Sequence, residues 1–154
     1  SALCYTQNPA LTAERYHDGW FYTHDVGTWD AQHFITVCGR RDDMIVCMGE
    51  NIYPAQLEEI LCRHPKVADC MVVGVPDASR GQSVAAYIIP ADASLTAQEL
   101  GAWCARCDDL SAYKCPRYYR FVDTLPYNAT GKKQHVLLQA RAEADLRSGL
   151  LLRP

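Results

Sequence analysis

The sequence lacks a basic surplus, since its 15 lysines and arginines are outnumbered by 18 acidic residues for a net charge of -3. A positive field that would gather nucleic acid or an anionic membrane is therefore not implied. Long hydrophobic runs are also missing: stretches such as Cys70 to Val75 fall far short of the roughly 20 apolar residues that cross a bilayer. Ser1 to Cys4 does not have the basic-then-apolar order of a targeting segment, and a cytoplasmic protein is the expectation. The five histidines are scattered, with no His-Glu-x-x-His, Ser/His/Asp or Cys/His arrangement, so a self-contained hydrolase has no support. No Ser/Thr/Gly-rich loop offers a cradle for ATP phosphates. Cys104 and Cys107 form the one CxxC, without a second pair or matching histidines, and no metal site is expected. The eight cysteines spread through strand-like and helix-like positions, as free buried thiols in a reducing compartment do.

What is present is an ordinary core composition, 49% hydrophobic and 21% charged over 154 residues, which allows one domain plus an appendage. Ser1 to Arg15 carries a weak helical pattern opening near Pro9, and Tyr16-His17-Asp18-Gly19 breaks it. Trp20 to Thr23 reads as a brief strand, Asp25-Val26-Gly27 as a turn and His33 to Cys38 as the next strand. Asp42 and Asp43 then mark a chain reversal before a strand over Met44 to Met48. Gly49-Glu50-Asn51 is a break where backbone can approach a ligand with no Cβ in the way. Pro54 opens a helix to Cys62 with Leu57, Ile60 and Leu61 on its apolar side.

Val67 to Val75 and Ser83 to Ile89 read as buried strands around a turn at Pro76 to Gly81. A helix over Thr96 to Cys107 is capped by Ser94 or Thr96, with Glu99 at capping-box spacing from Thr96. A strand over Arg117 to Val122, a loop over Asp123 to Lys133 and a helix over His135 to Leu146 complete the order. The alternation argues an α+β domain, a small mixed β-sheet with flanking helices, from about residue 40 onward.

The stretch Gly39 to Glu59, with Gly39-Arg40-x-Asp42-Asp43 followed by Gly49-Glu50-Asn51-Ile52-Tyr53-Pro54, resembles the hinge region of the adenylate-forming superfamily. Its form is that of acyl- and aryl-CoA ligases, nearest to aryl-CoA ligases such as 4-chlorobenzoate:CoA ligase. Gly19-Trp20-Phe21-Tyr22-Thr23-His24-Asp25 resembles the element that closes the nucleotide site in the same family. Leu125-Pro126-Tyr127-Asn128-Ala129-Thr130-Gly131-Lys132 resembles its closing motif. His24, Met48, Gln134 and His135 depart from the family pattern.

The resemblance implies a chain whose residues 1–39 end a large N-terminal adenylation domain and whose residues 40–154 form the mobile C-terminal lid. It implies ATP with magnesium, bound mainly by an N-terminal domain absent from this sequence, then CoA, and a small carboxylic acid as substrate. Lys132 is then catalytic, because an ammonium at the α-phosphate stabilises charge that grows as a carboxylate attacks ATP. Lys133 is the weaker candidate, since the motif places its lysine directly after the glycine. Asp25 and Arg40 take the ribose hydroxyls, Asp42 is the hinge, and Gly49 and Glu50 line the entry for the pantetheine thiol. Tyr113, Lys114 and Arg117, with Arg80 beside them, resemble the CoA docking surface. The expected function is that of the C-terminal part of an acid:CoA ligase, inactive alone. The alternatives are a stand-alone binding module with the lid fold, or an adenylating enzyme whose acceptor is not CoA.

Overall fold

The computed structural model describes residues 4–108 and 110–154, and the chain divides into two compact units, Ser1–Asp42 and Asp43–Pro154. In the first, α1 (Pro9–Arg15) starts where Asn8 accepts a hydrogen bond from the Leu11 amide at 3.0 Å, with Pro9 at the first helical position. β1 (Tyr16–His17) and β2 (Trp20–Phe21) form a short hairpin around Asp18 and Gly19, both at positive φ, the two-residue turn that matches strand twist. β3 (Asp25–Trp29) pairs antiparallel with β4 (Ile35–Arg40).

The turn expected at Asp25-Val26-Gly27 is thus the first half of a strand. Gly27 allows close strand approach rather than a reversal, since a Cβ there would lie 2.9 Å from the Thr36 carbonyl oxygen. The reversal expected around Asp42 and Asp43 makes no hairpin either: β4 pairs with β3, whereas β5 (Ile45–Cys47) pairs with β6 (Glu50–Ile52) and β8 (Gly81–Pro90).

The second unit is a five-stranded sheet in the order β6-β5-β8-β7, with β9 (Tyr118–Phe121) parallel to β8. β7 (Val67–Asp77) and β8 form a long antiparallel hairpin closed by an Asx turn, where Asp77 accepts from the Ser79 amide at 3.0 Å and from the Ser83 hydroxyl at 2.6 Å. Those donors hold the Asp77 carboxyl well below the usual carboxylate range.

Both faces of this sheet are covered, so β7 and β8 read as continuous apolar runs rather than alternating ones. Cys70, Val72, Val84, Ala86, Ile88 and Tyr119 face the side where α2 (Pro54–Cys62) and α3 (Ala97–Ala105) bring Leu57, Leu61 and Leu100. Met71, Val73, Val75, Ala85 and Tyr87 face the other side, where α4 (His135–Arg147) brings Leu138 and Ala142. Asp145 of α4 is buried there but not alone: it accepts from the Tyr87 hydroxyl at 2.6 Å and is paired with Arg120.

The α3 cap follows the sequence, with Thr96 accepting from the Glu99 amide at 3.2 Å, while the Glu99 carboxylate turns to Lys66 at 3.1 Å. No helix among the described residues is long and apolar enough to cross a membrane.

α4 meets the sheet mainly through the fully buried Leu138, so Leu138→Ala is expected to cost about 2 to 5 kcal/mol of unfolding free energy. Urea unfolding measures it, and a loss below about 1 kcal/mol would mean that α4 contributes little to the core.

Candidate functional site

The loop between β9 and α4 is built on Asn128. Its side-chain oxygen accepts from the Thr130 amide at 3.0 Å, the Thr130 hydroxyl at 2.8 Å and the Lys132 amide at 2.9 Å. The Asn128 amide donates to the Lys132 carbonyl at 2.9 Å, and Gly131 turns the chain at φ 77° with open space where a Cβ would be. The loop is therefore closed on itself, and it presents Lys132 as an exposed side chain with no hydrogen bond or ion pair among the described residues.

Lys133 is engaged where Lys132 is free. Its ammonium lies 3.1 Å from Glu58 Oε2 and 2.9 Å from Asp69 Oδ1, and it donates to the Cys70 carbonyl. Glu58, 8% exposed on α2, also accepts from the Val72 amide at 2.9 Å and lies 2.7 Å from His135 Nε2. The other ring nitrogen of His135 is 3.7 Å from Asp43, and the Tyr127 hydroxyl donates to Asp69. This clasp joins the lead into β5, α2, β7, the lysine loop and the start of α4.

Burial alone would push the Glu58 carboxyl up, but the His135 hydrogen bond, the Lys133 charge and the Val72 amide outweigh it and hold the group below its ordinary value. Burial alone would lower His135, and its bond to Glu58 and the two nearby carboxylates raise it instead. Desolvation and the bond to Asp69 lift the Tyr127 hydroxyl to about 12. Sequence reasoning missed the clasp. Its one local signal was an acid, Glu58, beside Leu57 on the helix side that carries Leu61.

Other sequence candidates fall into separate groups. In the first unit Asp25 and Arg40 are register partners across β3 and β4, with Arg40 Nη1 3.9 Å from Asp25 Oδ1 and Nη2 3.7 Å from Asp42 Oδ2. His24, at a positive φ of 63°, places Nδ1 3.1 Å from Asp42, and this bond is the main reason the Asp42 carboxyl lies below its ordinary value. In the second unit Met48 and Gly49, both at positive φ, form the two-residue turn of the β5–β6 hairpin, and Glu50 is the first residue of β6. Lys114 lies over the Tyr113 ring at 6.0 Å and lines a groove along α2 with Tyr53 and Gln56. Arg117 instead reaches Asp77 at 3.6 Å, which offsets its charge.

A mixed sheet flanked by helices, with a self-closed Gly-Lys loop at the foot of its last helix, is the form of a lid domain of adenylate-forming enzymes. The family model described as AMP-binding enzyme C-terminal domain matches residues 56–132, and the chain belongs to that family. It is 42% identical to a 2-succinylbenzoate--CoA ligase of Bacillus licheniformis over 83% of this chain and 26% of that protein. Among solved structures, an anthranilate CoA ligase in complex with anthranoyl-AMP is 32% identical, with a TM-score of 0.84 over 96% of this chain and 29% of that one. An amide bond synthetase from Marinactinospora thermotolerans is also 32% identical, with a TM-score of 0.79 over 91% of this chain and 28% of that one. The chain thus spans about a quarter of the length of the curated relatives it matches.

The clasp has a pH signature. His135 titrates above 6.5 in the folded chain, so its contribution is complete below 6.5 and is lost as pH rises through the raised value. Glu58 titrates below 4.5, so its contribution is complete above 4.5 and is lost as pH falls through the lowered value. Urea midpoints are therefore expected to decline as pH rises above 6.5 through the raised His135 value, and His135→Gln should flatten that decline. Equal slopes for the two proteins would remove His135 from the account.

Proposed function

We propose that this chain is the C-terminal part of an ATP-dependent, AMP-forming carboxylic acid:CoA ligase. In this reading residues 1–39 end the large N-terminal domain, residues 40–154 are the lid, and the chain alone has little activity. The observation that carries the reading is the contrast between adjacent lysines. Lys133 is held by Glu58 and Asp69, whereas Lys132 projects from a loop that closes on itself and has no side-chain partner among the described residues. A free ammonium on a preorganised loop suits a group that stabilises phosphoryl charge during one half-reaction and is withdrawn for the next.

Asp25 and Arg40, facing one another across two strands, take the ribose hydroxyls. Asp42 is the hinge, a role supported by the division of the chain into compact units after this residue. Gly49 and Glu50, at the tip of the β5–β6 hairpin, line the path of the pantetheine thiol. Tyr113 and Lys114 dock the CoA nucleotide, with Arg117 the weaker member because Asp77 already engages it. Magnesium accompanies ATP in the N-terminal domain, and a small carboxylic acid is the substrate. A cytoplasmic location goes with this chemistry. A second reading, adenylation followed by transfer to an acceptor other than CoA, draws support from the likeness to the amide bond synthetase.

In the full-length enzyme, Lys132→Ala should reduce acid-dependent pyrophosphate exchange about 100-fold or more, while thioester formation from supplied acyl-adenylate and CoA stays within a few-fold. Equal loss of both steps would defeat the role of Lys132. Transfer to an amine without any response to CoA would favour the second reading.

A further inference from the structure

Two thiols that the proposed reaction does not use lie side by side. Cys62 is the last residue of α2 and Cys70 stands on β7, with their sulfurs 3.5 Å apart. Cys62 is exposed, whereas Cys70 is fully buried, with its sulfur 3.5 Å from the Glu58 carbonyl and its own carbonyl accepting from Lys133. The strand side of the pair is therefore fixed. The helix side carries the exposed member of the pair, and rotation of the Cys62 side chain is what would close the gap.

A disulfide requires sulfurs about 2.05 Å apart, so an approach of about 1.5 Å separates this contact from a bond. A nearby Asp69 carboxylate, 4.0 Å from the Cys62 sulfur, is itself offset by Lys133 at 2.9 Å.

We propose that Cys62 and Cys70 form a peroxide-responsive dithiol that closes into an intramolecular disulfide and ties the end of α2 to β7. Cys62, the sulfur that solvent reaches, attacks hydrogen peroxide as its thiolate. A sulfur–oxygen bond forms, the oxygen–oxygen bond breaks, and the departing hydroxide is protonated to water. Cys70 then attacks the Cys62 sulfur. A sulfur–sulfur bond forms, the sulfur–oxygen bond breaks, and the hydroxide leaves as water with the proton of Cys70. Two thiols are oxidised, one peroxide is reduced and two waters result. Burial pushes the Cys70 thiol far above its ordinary value, so Cys70 is not the first nucleophile, and in the second step it must give up its proton to the departing hydroxide as the sulfur–sulfur bond forms. The bond would close a short loop beside the Glu58 clasp and stabilise the fold mainly by restricting the unfolded chain.

The test treats the protein with about one equivalent of hydrogen peroxide, alkylates it, and maps unreduced peptides by mass spectrometry alongside thermal unfolding. Cys62→Ser is the primary variant because the site is exposed. Cys70→Ala is the second, admitted only if its circular dichroism matches the parent. The expected result is a Cys62–Cys70 linked peptide, a mass lower by two hydrogen atoms and reversal by dithiothreitol. A rise in Tm of about 5 °C is expected with the bond, and both variants should lose it. The proposal is overturned if Cys62 proceeds to sulfinic acid without the link, or if peroxide joins chains through Cys4. It also fails if links among Cys104, Cys107 and Cys115 form as readily in Cys62→Ser. These readouts are chemical and stand whether or not the ligase reading is correct.

Discussion

A carboxylate with almost no access to water, Glu58, is the constraint on which the second unit depends. An ionised acid cannot be buried unless its charge is met, and here Lys133, His135 and the Val72 amide meet it from three directions. The result is more than a balanced charge. α2 and β7 lie next to one another in the chain, but the lysine loop and the start of α4 come from 75 and 77 residues further on. Losing one partner of such a group typically costs about 3 to 5 kcal/mol, because the others remain buried without compensation. The clasp therefore fixes where the loop emerges as firmly as any apolar contact does.

The rest of the layer organisation follows from a sheet covered on both sides. Apolar side chains on both faces of β7 and β8 remove the solvent face that a hairpin usually keeps, and the helices divide between the two sides. α4 carries few buried positions, Leu138, Ala142 and Asp145, and it supplements them with the polar link from Asp145 to Tyr87 and Arg120. The polar contacts of α4 thus run along its length, through His135 at the start, Gln139, whose side-chain amide donates to the Gly74 carbonyl, and Asp145 near the finish. Between the clasp and that apolar footing, the loop ahead of α4 needs no support from Lys132. Its Asn128 oxygen collects three donors, so the lysine side chain is spared any structural duty. Under the proposed function, sparing that one cation while consuming its neighbour leaves Lys132 available to meet phosphoryl charge.

Local signals were legible in the sequence where one element satisfied them. Pro54 and the spacing of Leu57, Ile60 and Leu61 define α2 from Pro54 to Cys62, and Thr96 with Glu99 at the third position gives the α3 cap. The same kind of reading failed at Asp25-Val26-Gly27. An Asp-x-Gly pattern signals a turn, yet Gly27 is there to let Thr36 of the neighbouring strand come close. It was incomplete at Glu50, read as part of the break Gly49-Glu50-Asn51, because the Met48-Gly49 turn is short enough to send the chain straight back as β6. In both cases a glycine was correctly noticed, and its partner strand, invisible in one dimension, decided its use.

The order of the motifs, the helix boundaries and the placing of a lysine directly after Gly131 were determined by the amino-acid sequence itself, because turns, caps and helical faces depend on residues within a few positions of each other. Tertiary structure alone decided which of two consecutive lysines is tied down, which cysteines touch, and why His135 stands where it does. Those outcomes depend on charges and sulfurs brought together from distant parts of the chain, where burial makes an unmet partner costly, and no local pattern records which distant group will arrive.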